Sequence, residues 1–216
     1  MQRDREKCHD QMMKDYFIER SRFPAHDFWR RFRMRREHFE SILNAVINHD
    51  HYFARRLDAA GRQGLSPHQN LTSAFRMLAN GCSINSTDEY CRLAKSTAIE
   101  NLKRFYKTIE GIYGATYLHN PNREDLKRLL RKVDKKGFPS MIGSLDCMHW
   151  EWKNYPTGWA SQFNGCHNKL TIVLEVVASY DTWIWHVFFG VPGSNNDINV
   201  LWSSHLLENV VNGWAP

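Results

Sequence analysis

The pattern of apolar and polar positions divides the chain into a helical part and a following part rich in strands. Up to about residue 136, apolar residues recur at the three- and four-residue spacing of amphipathic helices. After Pro139 the pattern changes, and runs dominated by β-branched and aromatic residues follow at 141–152, 171–179 and 183–191. Turn-forming residues separate these runs. The pattern therefore predicts an α/β protein with a helical N-terminal region and a small sheet.

Three helices with tight links are predicted between residues 65 and 111. Ser66 and Pro67 are typical of a helix start, and Gly81 ends that first helix. A short second helix follows, and Ser96 opens the third. This is the layout of a helix-turn-helix unit, whose last helix can enter the major groove of DNA. A three-helix packing module without DNA contact has the same pattern, and the sequence leaves both open.

Polar side chains near the start of this third helix are predicted to face outward. Basic side chains there can contact phosphates, and an asparagine can read a base edge. The candidate DNA-binding residues are Ser96, Thr97, Asn101, Lys103 and Arg104.

An arginine-rich run at residues 30–36 lies beside an apolar helix face. The apolar residues predicted to form the core there are Phe28, Phe32, Phe39 and Leu43. The arginines form either a phosphate-contacting patch or the soluble surface of a helix, and the pattern is compatible with both.

The net charge of +6 is distributed unevenly along the chain. Residues 1–60 hold 13 Lys and Arg against 10 Asp and Glu, residues 61–139 hold 14 against 7, and residues 140–216 hold 2 against 6. A basic front part joined to an acidic back part suits a protein that binds a polyanion with one part and cations with the other. Solvated helix faces would explain the first segment equally well, but the second less well.

The chain is predicted to contain three regions. A break at 120–122 is followed by a basic amphipathic helix at 123–136, and a domain boundary is expected directly after it. We therefore predict a helical basic N-terminal region at 1–60, a helix-turn-helix-like region with the basic helix at 61–137, and a sheet domain at 138–216.

Acidic residues interrupt the predicted strands or follow them. Asp146 lies within the first strand, where burial of an unpaired carboxylate costs several kcal/mol unless a divalent cation or another partner offsets it. Glu175 interrupts the second strand and either reaches toward Asp146 or pairs with a base such as Lys169. Asp197 follows the third strand at a helix start, where it is either a metal ligand or a helix cap.

Short motifs around these acids resemble the Harbinger (PIF) transposases and the nucleases derived from them, most closely the plant members. The resemblance is carried by residues 143–150, 174–179, 183–186 and 193–201. It implies a DDE-type nuclease domain with a ribonuclease-H-like mixed sheet from Phe138 onward. It also implies a helix-turn-helix region upstream of that domain.

The resemblance implies a metal-dependent DNA endonuclease. Asp146 falls on the family's first catalytic acid, which binds metal, and Asp197 is a second candidate metal ligand. The cofactor would be Mg²⁺ or Mn²⁺, because both prefer hard oxygen ligands. The fold implies a further Asp and Glu beyond Pro216, so the sequence resembles a truncated member. The second hypothesis is therefore a catalytically inactive remnant that binds DNA or protein.

DNA is the partner that the charge pattern and the resemblance imply. The resemblance also implies a Myb-like accessory protein that assists DNA binding and nuclear entry, and hence a nuclear location. No apolar run approaches the roughly 18 residues that span a bilayer, so we expect no membrane partner. The sequence leaves open whether the chain forms a homo-oligomer.

Overall fold

The protein divides into a helical unit, Met1–Gly114, and a unit that contains a sheet, Ala115–Pro216. This confirms the predicted α/β class with a helical N-terminal region. The division into three regions stays a prediction. The computed structural model describes residues 4–57, 61, 63–153, 155–165 and 169–211. For residues 87, 88 and 209–211 it describes the backbone alone.

The helical unit is built around one cluster of aromatic and aliphatic side chains. Its elements are α1 (Arg5–Met12), a π-helical turn (Met13–Phe17), α2 (Ala25–Phe32), α3 (Arg36–His49), a 3-10 turn (His51–Phe53), α4 (Pro67–Asn80), α5 (Ile84–Cys91) and α6 (Lys95–Tyr117). The predicted core residues are confirmed: Phe28, Phe32, Phe39 and Leu43 are all buried. None of the helices in the described part of the chain is long and apolar enough to cross a membrane.

The helices α4, α5 and α6 have the layout predicted for them. The Ser66 hydroxyl accepts a hydrogen bond from the backbone N–H of Gln69 at 3.2 Å, and Gln69 Oε1 accepts one from the backbone N–H of Ser66 at 3.0 Å. Gly81 ends α4 in the left-handed conformation with a φ of 59°. Short links lead into α5 and α6, and the Ser83 side chain caps α5. The predicted start and end of α4 are therefore confirmed.

The second unit contains a three-stranded antiparallel sheet in the order β1-β2-β3. Its elements are α7 (Arg123–Asp134), β1 (Ser144–Glu151), a 3-10 turn (Thr157–Trp159), β2 (Thr171–Ala178), β3 (Ile184–Pro192), α8 (Asp197–Ser203) and α9 (Leu206–Val211). Three strands followed by a helix are the expected opening of a ribonuclease-H-like fold. A mixed sheet also needs a parallel pair, and every pairing among the described strands is antiparallel.

The two faces of this sheet differ in their covering. One face packs against α8 and α9, where Val173 and Val200 belong to one buried cluster and Val177 and Leu206 to another. The strands alternate, so the remaining side chains point to the opposite face. The large apolar side chains exposed there are Met148, Trp150, Val187 and Phe189. Within the described residues, this second face is apolar and open.

Candidate functional site

Asp146 is the third residue of β1, and its carboxylate is exposed on the open face of the sheet. The register pairs Asp146 with Val176 of β2. One carboxylate oxygen accepts a hydrogen bond from the Cys147 amide at 3.0 Å. Among the described residues, no Lys or Arg side chain forms an ion pair with it. The expectation of a buried acid is therefore wrong, because Asp146 lies on the face of the sheet that no described helix covers.

Asp197 is the first residue of α8, but it does not cap the helix. The cap is Asn196, whose Oδ1 accepts a hydrogen bond from the Asn199 amide at 2.8 Å. Asp197 instead lies in the first turn, where a negative charge favours the helix dipole. Its Oδ1 lies 3.9 Å from His149 Nε2, and this contact is weak because both side chains are exposed.

The two predicted metal ligands lie on opposite faces of the sheet. His149 follows Asp146 by three positions in a regular strand, so their side chains point in opposite directions. Asp197 lies beside His149 and hence on the covered face. In the described part of the chain, no three His, Cys, Asp or Glu side chains form a group that could hold a metal ion. The described residues thus bring one carboxylate to the open face, and a metal role for either acid stays a prediction.

Glu175 is a buried acid whose partner the sequence did not identify. Its side chain has no exposed surface, and its Oε1 accepts a hydrogen bond from His186 Nε2 at 2.9 Å. Its Oε2 has no hydrogen-bond partner within the described structure. Lys169, named as a candidate base, contacts Glu151 instead at 3.4 Å. The sequence does place a histidine, His186, in the strand that follows and pairs with β2, and this could have indicated the contact with Glu175.

Cys147 follows Asp146 in β1, and its side chain is half-buried. Burial raises the pKa of the Cys147 thiol, and the charges of Asp197 and Glu175 raise it further. As long as no cation contacts it, the thiol is therefore protonated at neutral pH.

The predicted DNA-binding residues of α6 differ in their exposure. Ser96 and Lys103 are exposed, and Thr97 is half-buried. Arg104 is exposed, but it donates a hydrogen bond to Glu100 at 2.6 Å and lies 3.8 Å from Asp50. Carboxylates of the protein therefore already balance part of its charge. Of the predicted phosphate contacts, Lys103 is the more available in this arrangement.

Asn101 faces the core, so the expectation that it faces outward is wrong. Its side chain has no exposed surface, because position 101 shares a helix face with the buried Ala98 and Phe105. Its amide donates to Asn70 Oδ1 at 3.1 Å, and its Oδ1 accepts from the Tyr52 hydroxyl at 2.7 Å. A side chain held in this way cannot reach a base edge.

We expect Asn101→Ala to lower the free energy of unfolding by about 2 kcal/mol, because the buried Asn70 side chain and the hydroxyl of the half-buried Tyr52 both lose a hydrogen-bond partner. Chemical denaturation measures this change. The exposed Asn85→Ala is the matched control and should change stability by less than about 0.5 kcal/mol. The affinity of the folded variant for DNA should stay unchanged. Loss of DNA affinity at unchanged stability would contradict the assignment to the core.

Comparison with known proteins connects the second unit with transposons. Residues 115–216 match the family model described as "Plant transposon protein", and residues 9–47 match a domain of unknown function (DUF8418). No curated protein and no solved structure matches the chain. The first match spans the same residues as the second compact unit, including the sheet and Asp146. This match supports a plant transposase-like family for the protein.

Proposed function

We propose that the protein is a transposase-derived, metal-dependent DNA endonuclease of the Harbinger (PIF) type, in which Asp146 binds the metal ion. The observation that carries the proposal is the position of this carboxylate. It lies exposed in β1, without an ion pair to a described Lys or Arg, in the unit that matches plant transposon proteins. An exposed carboxylate offers the hard oxygen ligands that Mg²⁺ and Mn²⁺ prefer.

The chemistry assigned to this site is hydrolysis of a phosphodiester bond in DNA. When bound, a divalent cation supplies an activated water and stabilises the leaving oxygen. Asp146 fits the role of one carboxylate ligand on the open face. Asp197 fits less well, because it lies on the covered face beside His149. We therefore assign the metal contact to Asp146 first and keep Asp197 as a second candidate to be tested.

A second candidate function is a transposase-derived protein that binds DNA or another protein without cleaving it. The separation of Asp146 and Asp197 on two faces favours this candidate, since metal-dependent cleavage usually needs several ligands on one side of a site. Both candidates include the nucleus as the location, and DNA is the partner of the first and one of two possible partners of the second. Both also include a Myb-like accessory protein, on the strength of the resemblance.

Nicking of supercoiled DNA distinguishes the two candidates. With Mg²⁺ or Mn²⁺ added, we expect the chain to nick the plasmid and Asp146→Asn to lower the rate at least about a hundredfold, through the lost metal ligand. Glu151→Gln is the matched control, because it changes an exposed acid on the same strand. Asp197→Asn tests the second ligand.

Two outcomes would overturn the endonuclease proposal. The wild-type chain could fail to nick DNA with either ion while still binding it, which would favour the second candidate. Alternatively, Asp146→Asn could nick DNA as fast as the wild type, which would place the activity at other residues.

A further inference from the structure

The helix α7 presents a basic face on the side opposite its buried side chains. Leu129 and Val133 are buried, and Lys127, Arg131 and Lys135 fall about half a turn away from them around the helix. Arg128 and Lys132 lie at one side, between the two. Residues in and next to α7, together with Tyr180 from the connection between β2 and β3, line an open cavity of about 690 Å³: Glu124, Lys127, Arg128, Arg131, Lys132, Lys135 and Tyr180. Five of these seven residues are Lys or Arg and only one is acidic.

Arg128 fixes α7 to the connection between β2 and β3. Its Nη1 donates a hydrogen bond to Asp181 Oδ2 at 2.6 Å, and its guanidinium lies 5.8 Å from the centre of the Trp183 ring. A hydrogen bond from Ser179, and then the one from Arg128, lower the pKa of the Asp181 carboxyl. The carboxylate is therefore charged at neutral pH and holds the helix against the sheet.

Tyr180 contacts two more cations near the C-terminal end of α7, beside the basic face. Lys132 Nζ lies 4.7 Å and Lys136 Nζ 5.9 Å from the centre of the Tyr180 ring. This contact orients the ammonium groups and leaves them exposed. The ring is already in contact with two cations, so it is a poor platform for stacking an unpaired base.

Lys127 and Arg131 of α7 and Lys135 at its C-terminal cap form a row of exposed cations. They are four residues apart, so they follow each other at intervals of about 6 Å along the helix axis. None of the three forms an ion pair with a carboxylate of the described chain. Such a row fits a ligand with repeated negative charges better than a single small anion.

We infer that the basic face of α7 binds the phosphate backbone of duplex DNA. Regularly spaced exposed cations, which outnumber the one acid Glu124 of the same cavity, are the feature that phosphate contacts require, and they carry no sequence selectivity. Tyr180 favours duplex over single-stranded DNA, because its ring is engaged by lysines. The inference rests on the proposed function for the identity of the polyanion, but it does not depend on cleavage. It uses residues other than Asp146 and the candidates on α6.

The salt dependence of duplex DNA binding tests the inference. We expect Lys127→Ala/Lys135→Ala to reduce the slope of log affinity against log salt by about 1.8, since each phosphate contact contributes about 0.9. Affinity at moderate salt should fall about tenfold or more. The matched control is Lys153→Ala/Lys169→Ala, which removes two exposed lysines from the same unit. Fluorescence anisotropy without divalent ions keeps the DNA intact during the measurement.

Three outcomes would overturn the inference: equal slopes for the two double variants, tighter binding of single-stranded DNA or RNA than of duplex DNA, or displacement of the duplex by polyglutamate at equal charge. Alanine is a good helix former, so both double variants should fold, and circular dichroism checks this.

The experiments can refute the inference and the proposed function independently of each other. If the wild-type chain nicks DNA but Lys127→Ala/Lys135→Ala leaves the salt dependence of binding unchanged, only the inference is refuted. If that double variant lowers the salt dependence but the wild-type chain never nicks DNA, only the endonuclease proposal is refuted.

Discussion

Replacement of Phe39 by alanine is expected to lower the free energy of unfolding by about 3–5 kcal/mol, the range for a fully buried aromatic side chain. The Phe39 ring of α3 has no exposed surface. Its centre lies 5.0 Å from that of Phe17, 5.3 Å from Phe32 and 5.1 Å from Phe75. One ring thus contacts the π-helical turn, α2 and α4. Its removal leaves a cavity that three separate elements would have to close.

Chemical denaturation followed by far-ultraviolet circular dichroism measures this effect. Phe138→Ala is the control, because Phe138 is 61% exposed, and it should change stability by less than about 0.5 kcal/mol. Phe39→Leu keeps most of the apolar volume and should fall between the two. A loss below about 1 kcal/mol for Phe39→Ala would show that the aromatic cluster is not the main source of stability in the helical unit.

The same cluster explains the arginine-rich run at residues 30–36. Arg30 pairs with Asp27 at 3.0 Å, and the guanidinium of Arg31 lies 5.4 Å from the centre of the Phe23 ring. Arg36 donates to the Ile18 carbonyl oxygen at 3.0 Å. These arginines cover the edge of the aromatic core and join chain segments to each other. The contacts support the alternative in which the run is a helix surface, since part of its hydrogen-bonding capacity is used within the unit.

Features that depend on neighbouring residues could be predicted from the sequence. The start of α4 at Ser66 and Pro67 and its end at Gly81 follow from local cap chemistry, and the structure confirms both. The three strands were also predicted, because β-branched and aromatic runs between turn residues are a local signal. Their ends differ by up to three residues from the prediction, as expected where hydrogen bonds to other strands fix the boundary.

The surroundings of the candidate site could not be predicted in the same way. The apolar run around Asp146 resembles a strand buried on both faces, but within the described structure β1 is an edge strand with one open face. Sequence alone does not show which face a distant helix covers, and α8 covers the face opposite Asp146. Asn101 is different, because its spacing from Ala98 and Phe105 already indicated a buried position.

The contact between Glu175 and His186 gives the second large expected effect. His186→Leu should lower the free energy of unfolding by about 3 kcal/mol, because it leaves the fully buried Glu175 carboxyl without its hydrogen-bond partner. Glu175 is completely buried, and its bond to His186 is the one hydrogen bond that its side chain makes within the described structure. Without that bond, both carboxyl oxygens lie in an apolar layer beside Val173 and Val177 without a partner.

A double-mutant cycle separates this pair from its surroundings. Glu175→Leu/His186→Leu should be more stable than His186→Leu alone, since an apolar pair leaves no unsatisfied carboxyl group. His149→Leu is the control, because it changes an exposed histidine of the same sheet face. Additive losses in the cycle would contradict the pairing.

The pair is also close to the candidate site, because Glu175 lies directly opposite Cys147, the neighbour of Asp146 in β1. If His186→Leu also slowed nicking when assayed as a folded protein, the pair would act by holding β1 in position, because neither side chain points to the open face.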